Sequence, residues 1–360
     1  TSLKGSGEMG GRTGTVFRVA ATYVGTVVGA GFASGQETLR FFAAYGRVGL
    51  WGVVIATLLF CTLGILVLDL GARLGAQSHR EILHLACGPK LGAVMDGTIT
   101  LFLGATLTVM IAGGGAVFAE QFGLARSTGV LFTAVAAALT ILFGVRGIMA
   151  ANSVVVPLLT VGVGALTFGA IHFHSIGGIW ERATPHPAFA PVGPWWLAAI
   201  LYVGYNLVLA ISVLGPLGAT VQDRRSLWLG GLLGGVSLGV LAGGIQLALS
   251  AHLPEIGRAE VPMLFLARLQ PGPFQWGYAI ILWAEIYTTA ISCAYGFVSR
   301  LTQVTAIPYR WGVVGSVCVA LVGSGWGFST LLGTLYPLFG FTALSVLIGL
   351  GLLPLRRIVT

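Results

Sequence analysis

The chain has 360 residues, 56% of them hydrophobic and 8% charged, with a mean hydropathy of +0.92 and a formal net charge of +8. A soluble domain carries roughly 25% charged residues, so this composition excludes one and describes an integral membrane protein made almost wholly of spans. In that setting the positive excess reports topology, and no nucleic-acid partner is expected.

In chain order, residues 1–14 read as a flexible cytoplasmic tail, rich in glycine and without the apolar centre of a signal peptide. Apolar stretches of ~20 residues predict ten helices at 15–45, 48–76, 91–123, 127–144, 147–174, 195–220, 227–250, 275–303, 309–324 and 329–353. The first is expected to be discontinuous. Its centre reads Gly25-Thr26-Val27-Val28-Gly29-Ala30-Gly31-Phe32-Ala33-Ser34-Gly35-Gln36-Glu37, and non-helical backbone at membrane depth survives only where it lines a cavity or is buried in protein. The sixth stretch contains Tyr202-Val203-Gly204-Tyr205-Asn206, whose first three residues repeat Tyr23-Val24-Gly25, and it is expected to break near 204–208.

Each half also carries a short amphipathic stretch between its second and third spans, 78–85 in the first and 261–268 in the second. Five spans per half invert the second copy relative to the first, which is the inverted-repeat plan with a midplane site. The expected divisions are a first repeat at 15–174, an extracellular loop at 175–194, a second repeat at 195–353 and a cytoplasmic tail at 354–360. With the N-terminus inside, 13 of the 19 Lys and Arg residues fall on the cytoplasmic side, so both termini are expected in the cytoplasm of a multi-pass cell-membrane protein.

The break supplies candidate ligand groups. A half-helix beginning near Phe32 presents amides and a positive dipole end to a carboxylate, with Ala30 beside it. Gly29 and Gly31 let backbone approach the ligand. In span eight, Glu285, Thr288, Thr289 and Ser292 share one helix face, and a membrane-buried carboxylate is a functional candidate by default. It could serve as a cation ligand, a proton carrier or the partner of a cationic substrate group. Glu37, which Arg40 at i+3 could neutralise, and Glu120 are candidate gate residues. Asp69 is expected to pair with Arg73, and Asp96 to lie within reach of water or headgroups. Tyr205 and Asn206 are candidate substrate contacts, while Trp195 and Trp196 read as interface anchors. His172, His174 and His186 read as surface residues. Cys61, Cys87, Cys293 and Cys318 show no CxxC spacing and are assigned neither metal nor disulfide.

The five-plus-five plan resembles the leucine-transporter (LeuT) fold of the amino acid–polyamine–organocation superfamily. The run Gly25-Thr26-Val27-Val28-Gly29-Ala30-Gly31 resembles Gly-Asn-Ala-Val-Gly-Leu-Gly of sodium-coupled amino-acid transporters, and the run from Gly29 to Glu37 is more similar to the YkvI-type permeases. Gly144-Val145-Arg146-Gly147 with Asn152 is similar to the opening of span five in amino acid permeases. The resemblance implies that the carbonyls of Gly25 and Val28 hold sodium with the hydroxyls of Thr288 and Thr289, and that Thr26 and Val27 touch substrate. Glu285 departs from that pattern, which has a small residue at its position. Metal-ion transporters of this fold carry Asp-Pro-Gly-Asn in the first break, and that run is absent here.

Other function classes fit less well. A channel would want a filter-like motif or charged rings, an intramembrane enzyme a nucleophile with a base or a metal cluster, and an ATP-driven pump a GxxxxGK[ST] loop. No catalytic residue and no cofactor is expected. The expected ligands are a small substrate with Na⁺ or H⁺, and the expected activity is sodium-coupled symport of an amino acid or related zwitterion. The alternative is proton-coupled transport of a cationic amine with Glu285 as the proton or amine site. The oligomeric state is left open.

Overall fold

Glycine clustering shapes the first span. The computed structural model describes residues 4–143, 148–172, 181–270 and 272–359. Helix α1 (Lys4–Val27) stops at the glycine run, α2 (Ala30–Ala33) follows one short gap later, and α3 (Gln36–Phe41) completes the span. Gly29 is extended at φ −108° and ψ −171°. Gly35 sits at φ +80°, a left-handed conformation that side-chain-bearing residues seldom adopt. Two features differ from expectation. Helix begins at Lys4, inside the stretch read as a tail, and the second half-helix begins at Ala30 rather than near Phe32.

Helix α4 (Val48–Leu74) ends on Gly75 in a left-handed cap. Helix α5 (His79–Phe122) opens with a capping box between Ser78 and Glu81 and bends at Gly88 (φ +79°), just before Pro89. The bend separates the amphipathic stretch foreseen at 78–85 from a membrane-length helix. Next come α6 (Arg126–Phe143), α7 (Ile148–His172), α8 (Trp195–Thr220) and α9 (Arg224–Ser250), the last capped by the Asp223 side chain. The short α10 (Pro262–Arg268) matches the second amphipathic stretch, and α11 (Gly272–Val304), α12 (Tyr309–Gly323) and α13 (Phe328–Val359) complete the chain. Seven of these helices are long and apolar enough to cross a membrane. The motif at 144–147 and the side chains of Asn152, His172 and His174 lie outside the described residues.

The sixth span corrects the sequence reading, because α8 runs unbroken through 204–208. A single glycine there does not weaken the helix as four do in the first span. Gly204 instead lies where a Cβ would meet Ala343 and the Gly340 carbonyl of α13 at 3.3–3.4 Å, so it serves close packing. Asn206 Nδ2 donates to the Tyr202 carbonyl at 3.0 Å, inside the helix.

The helices pack in matched pairs. α4 lies on α8 as α9 lies on α1, α5 lies on α13 as α11 lies on α7, and α5 lies on α6 as α11 lies on α12. α4 with α9 and α5 with α11 form the two central contacts. Small residues make the approaches possible. A Cβ on Gly218 would meet the Leu68 carbonyl and the Ala72 amide, and one on Gly71 would meet the Gly215 carbonyl. Backbone cannot yield as a flexible side chain does. Gly218→Val is therefore expected to cost about 1–3 kcal/mol of overpacking, seen as a lower melting temperature in detergent. Gly97→Ala, which meets nothing within 4 Å, is expected to leave it unchanged.

Candidate functional site

The break in the first span opens onto a cavity of about 360 Å³. From α1 and α2 its wall takes Gly25, Thr26, Val27, Gly29, Ala30 and Gly31, from α3 Glu37, from α8 Tyr205 and Asn206, and from α11 Glu285, Thr289 and Ser292. One cavity thus collects most of the residues singled out in the sequence. Val28 and Phe32 are buried in packing instead and do not line it. Thr288 is also turned away, its hydroxyl donating to the Glu285 carbonyl at 3.1 Å. Glu120 belongs elsewhere, accepting from the Glu260 amide at 2.7 Å. Sequence reasoning missed Phe102, Thr106 and Met110 of α5, Cys293 of α11 and Tyr336 of α13. Thr106 and Tyr336, polar groups inside apolar runs, were the available signals.

The electrostatics separate this cavity from the rest of the molecule. Glu37 and Glu285 are 5% and 4% exposed, and the Oε2 atom of each has no hydrogen-bond partner. Among the described residues, no Lys, Arg or His lines the cavity. Arg40 does not neutralise Glu37, because its guanidinium donates to the Ser329 hydroxyl at 2.8 Å. Glu37 lies beside Tyr205 and Asn206, and Glu285 beside Thr289. The Tyr205 and Thr106 hydroxyls are likewise buried without partners. Several acids elsewhere are paired with basic side chains. Asp69 meets Arg73 at 2.7 Å and Arg224 at 2.6 Å, and Asp96 meets Arg80 at 2.9 Å, His79 at 3.1 Å and also Arg300. At the exposed N-cap, Asp223 meets Arg12 at 3.0 Å, and the Ser226 hydroxyl holds its carboxyl below the usual range. A buried charge is costly unless something compensates it, so two carboxylates with no basic partner among the described residues in one cavity mark a place for cations.

The cavity is asymmetric along the bundle. At the α2–α3 end it is sealed: the Tyr278 hydroxyl donates to the Ala33 carbonyl at 2.6 Å, the Met263 amide to the Ser34 carbonyl at 3.0 Å, and Gln36 Nε2 to the Ala259 carbonyl at 2.9 Å. Ion pairs brace that seal, Arg126 with Glu260 at 2.5 Å and Arg268 with Glu120 at 4.0 Å. At the other end, towards the start of α1, Val213 and Ser292 are exposed on the cavity wall. Among the described residues no three His, Cys, Asp or Glu side chains come together as a metal site, and all four cysteines are free.

A broken first helix, matched helix pairs and a cavity at the break define the LeuT fold. Solved structures share it: inward-facing Mhp1 superposes with a TM-score of 0.68 at 15% identity, covering 95% of this chain and 77% of that one. A Na⁺-coupled sialic acid symporter gives 0.61 at 13% identity (93% and 78% covered), and MhsT in complex with L-phenylalanine gives 0.59 at 17% (93% and 87% covered). Among Bacillus subtilis (strain 168) proteins, the uncharacterized membrane protein YkvI is 30% identical over 332 residues, covering 92% of this chain and 94% of its own length. YyaD of the same strain is 26% identical over 335 residues, covering 92% and 95%. The chain belongs to the YkvI family of membrane proteins. No family model matches it.

Proposed function

We propose that the protein is a secondary active transporter that moves a small ammonium-bearing molecule, an amino acid or a relative of one, across the cell membrane by alternating access in symport with sodium. The observation that carries this reading is the buried two-carboxylate cavity at the helix break, closed off at its α2–α3 end. The ten-span, five-plus-five arrangement belongs to the same proposal. It is supported by the matched packing pairs and by the two short helices at corresponding places in the halves. The unbroken α8 departs from the plan, so the ligand groups of the break come from the first span alone. With both termini cytoplasmic, the sealed α2–α3 end faces the outside.

For sodium, the Thr289 hydroxyl and the carbonyl of Gly25 are the available groups on facing walls. For the competing proton-coupled reading, the specific observation is Glu285 itself, a buried carboxylate one helical turn before Thr289. Uptake of radiolabelled compounds into proteoliposomes, with an imposed sodium or proton gradient, tests the proposal. Gradient-driven accumulation supports it, and passive equilibration of every compound under both gradients overturns it.

Alternating access also predicts that the brace can be weakened. Arg126→Ala removes the cation that Glu260 meets and is expected to shift the open-to-sealed ratio at the α2–α3 end by about 2- to 5-fold, as partly exposed ion pairs contribute up to about 1 kcal/mol. Maleimide labelling of an Ala33→Cys variant reads this as a proportionate rise in rate.

A further inference from the structure

Glu37 occupies an unexpected position. It rises from α3 and turns back over the break, so that a Cβ on Gly31 would collide with its Oε1 and Cδ. Gly31 belongs to α2, so the Glu37 carboxylate borders the break itself, and both residues line the cavity. The chain thus sets a carboxylate of its own at the place a ligand would approach. A ligand carboxylate brought there would meet a like charge at contact, in a cavity that already holds Glu285 and, among the described residues, has no basic side chain on its wall. The neighbouring wall is aromatic, with the Tyr205 and Tyr336 rings 5.1 Å apart between centroids and tilted by 60°. A carboxylate beside aromatic rings suits an ammonium group, through ion pairing and attraction to the ring faces.

Resting on the transport reading above, we propose that the substrate is an organic amine without a carboxylate of its own, its ammonium paired with Glu37 and flanked by Tyr205 and Tyr336. Glu285, beside Thr289, then remains for the coupling ion. Arg40 does not compete for Glu37, since it turns to Ser329.

The test is a binding comparison on the purified full-length protein. Each proteinogenic amino acid is set against the amine left when its α-carboxyl group is removed, with affinities read from thermal shifts and confirmed by calorimetry. At least one amine is expected to bind tenfold or more tightly than its parent amino acid. Glu37→Gln is expected to weaken that amine at least tenfold, while Gly97→Ala, off the cavity wall and meeting nothing within 4 Å, leaves its affinity unchanged. Binding of amino acids as tight as or tighter than every amine overturns the proposal, as does failure of every amine to bind. If the Glu37 variant cannot be purified folded, the comparison on the unmodified protein decides alone. Gradient-driven uptake of an amino acid with no amine bound would sink the amine assignment and leave the transport reading standing. Tight amine binding without gradient-driven uptake would do the reverse.

Discussion

Gly31→Ala is expected to impair transport severely, and Gly31→Leu to abolish it, in a protein that still elutes as a single folded species. The added Cβ collides with the Glu37 carboxylate and displaces it from its place beside Tyr205 and Asn206. Displacing one member of a buried charge pair costs about 2–5 kcal/mol, or about 30-fold and upward in apparent substrate affinity. Gly29 provides the contrast. A Cβ there meets nothing within 4 Å, so Gly29→Ala is expected to transport normally. Gly29→Leu extends into the cavity and is expected to block uptake by occupying ligand volume. The ordering of the four variants in an uptake assay is the measurement. Normal transport by Gly31→Ala would mean that the Glu37 carboxylate is not part of the ligand site.

Thr289→Ala is expected to weaken sodium dependence more than intrinsic substrate affinity. Loss of one buried ligand costs about 1–3 kcal/mol, or roughly 5- to 150-fold in apparent ion affinity. Thr288→Ala should matter much less, because that hydroxyl is already bonded within its own helix and lies off the cavity wall. Glu285→Gln divides the two coupling mechanisms. With sodium, uptake persists in this variant and still needs sodium. With protons, uptake in the parent rises as external pH falls, ignores sodium, and disappears in the variant. Full-rate uptake by the parent protein in sodium-free buffer would reject the sodium assignment.

The first break was legible because Gly25, Gly29, Gly31 and Gly35 crowd one apolar span, and backbone so weakened must be buried or line a cavity. The short helices α5-start and α10 were legible from amphipathic pattern, and Gly88-Pro89 marks where the first one ends. The continuity of α8 was not legible. A repeated Tyr-Val-Gly triplet carries no information about whether its glycine faces a ligand or, as Gly204 does, a neighbouring helix. Side-chain direction was hidden for a similar reason. Arg40 and Glu37 share a helix face at i+3, yet each turns to a partner supplied from far along the chain, Arg40 to Ser329 and Glu37 to the pocket edged by Tyr205. Thr288 and Thr289 are adjacent, and only packing decides which one reaches the cavity.

The Asp69–Arg224 contact joins residues 155 positions apart, and the largest helix contact, α4 on α8, also joins the two halves of the chain. During synthesis the helices up to α7 therefore enter the bilayer before most of their packing partners exist. Asp69 then has only its neighbour Arg73 for company, and Glu37 has no Tyr205 beside it. Neither half is a finished folding unit, and a ribosome that stalls midway leaves a bundle whose inner faces meet lipid. Co-expression of the two halves as separate chains should restore a folded product that neither half yields alone.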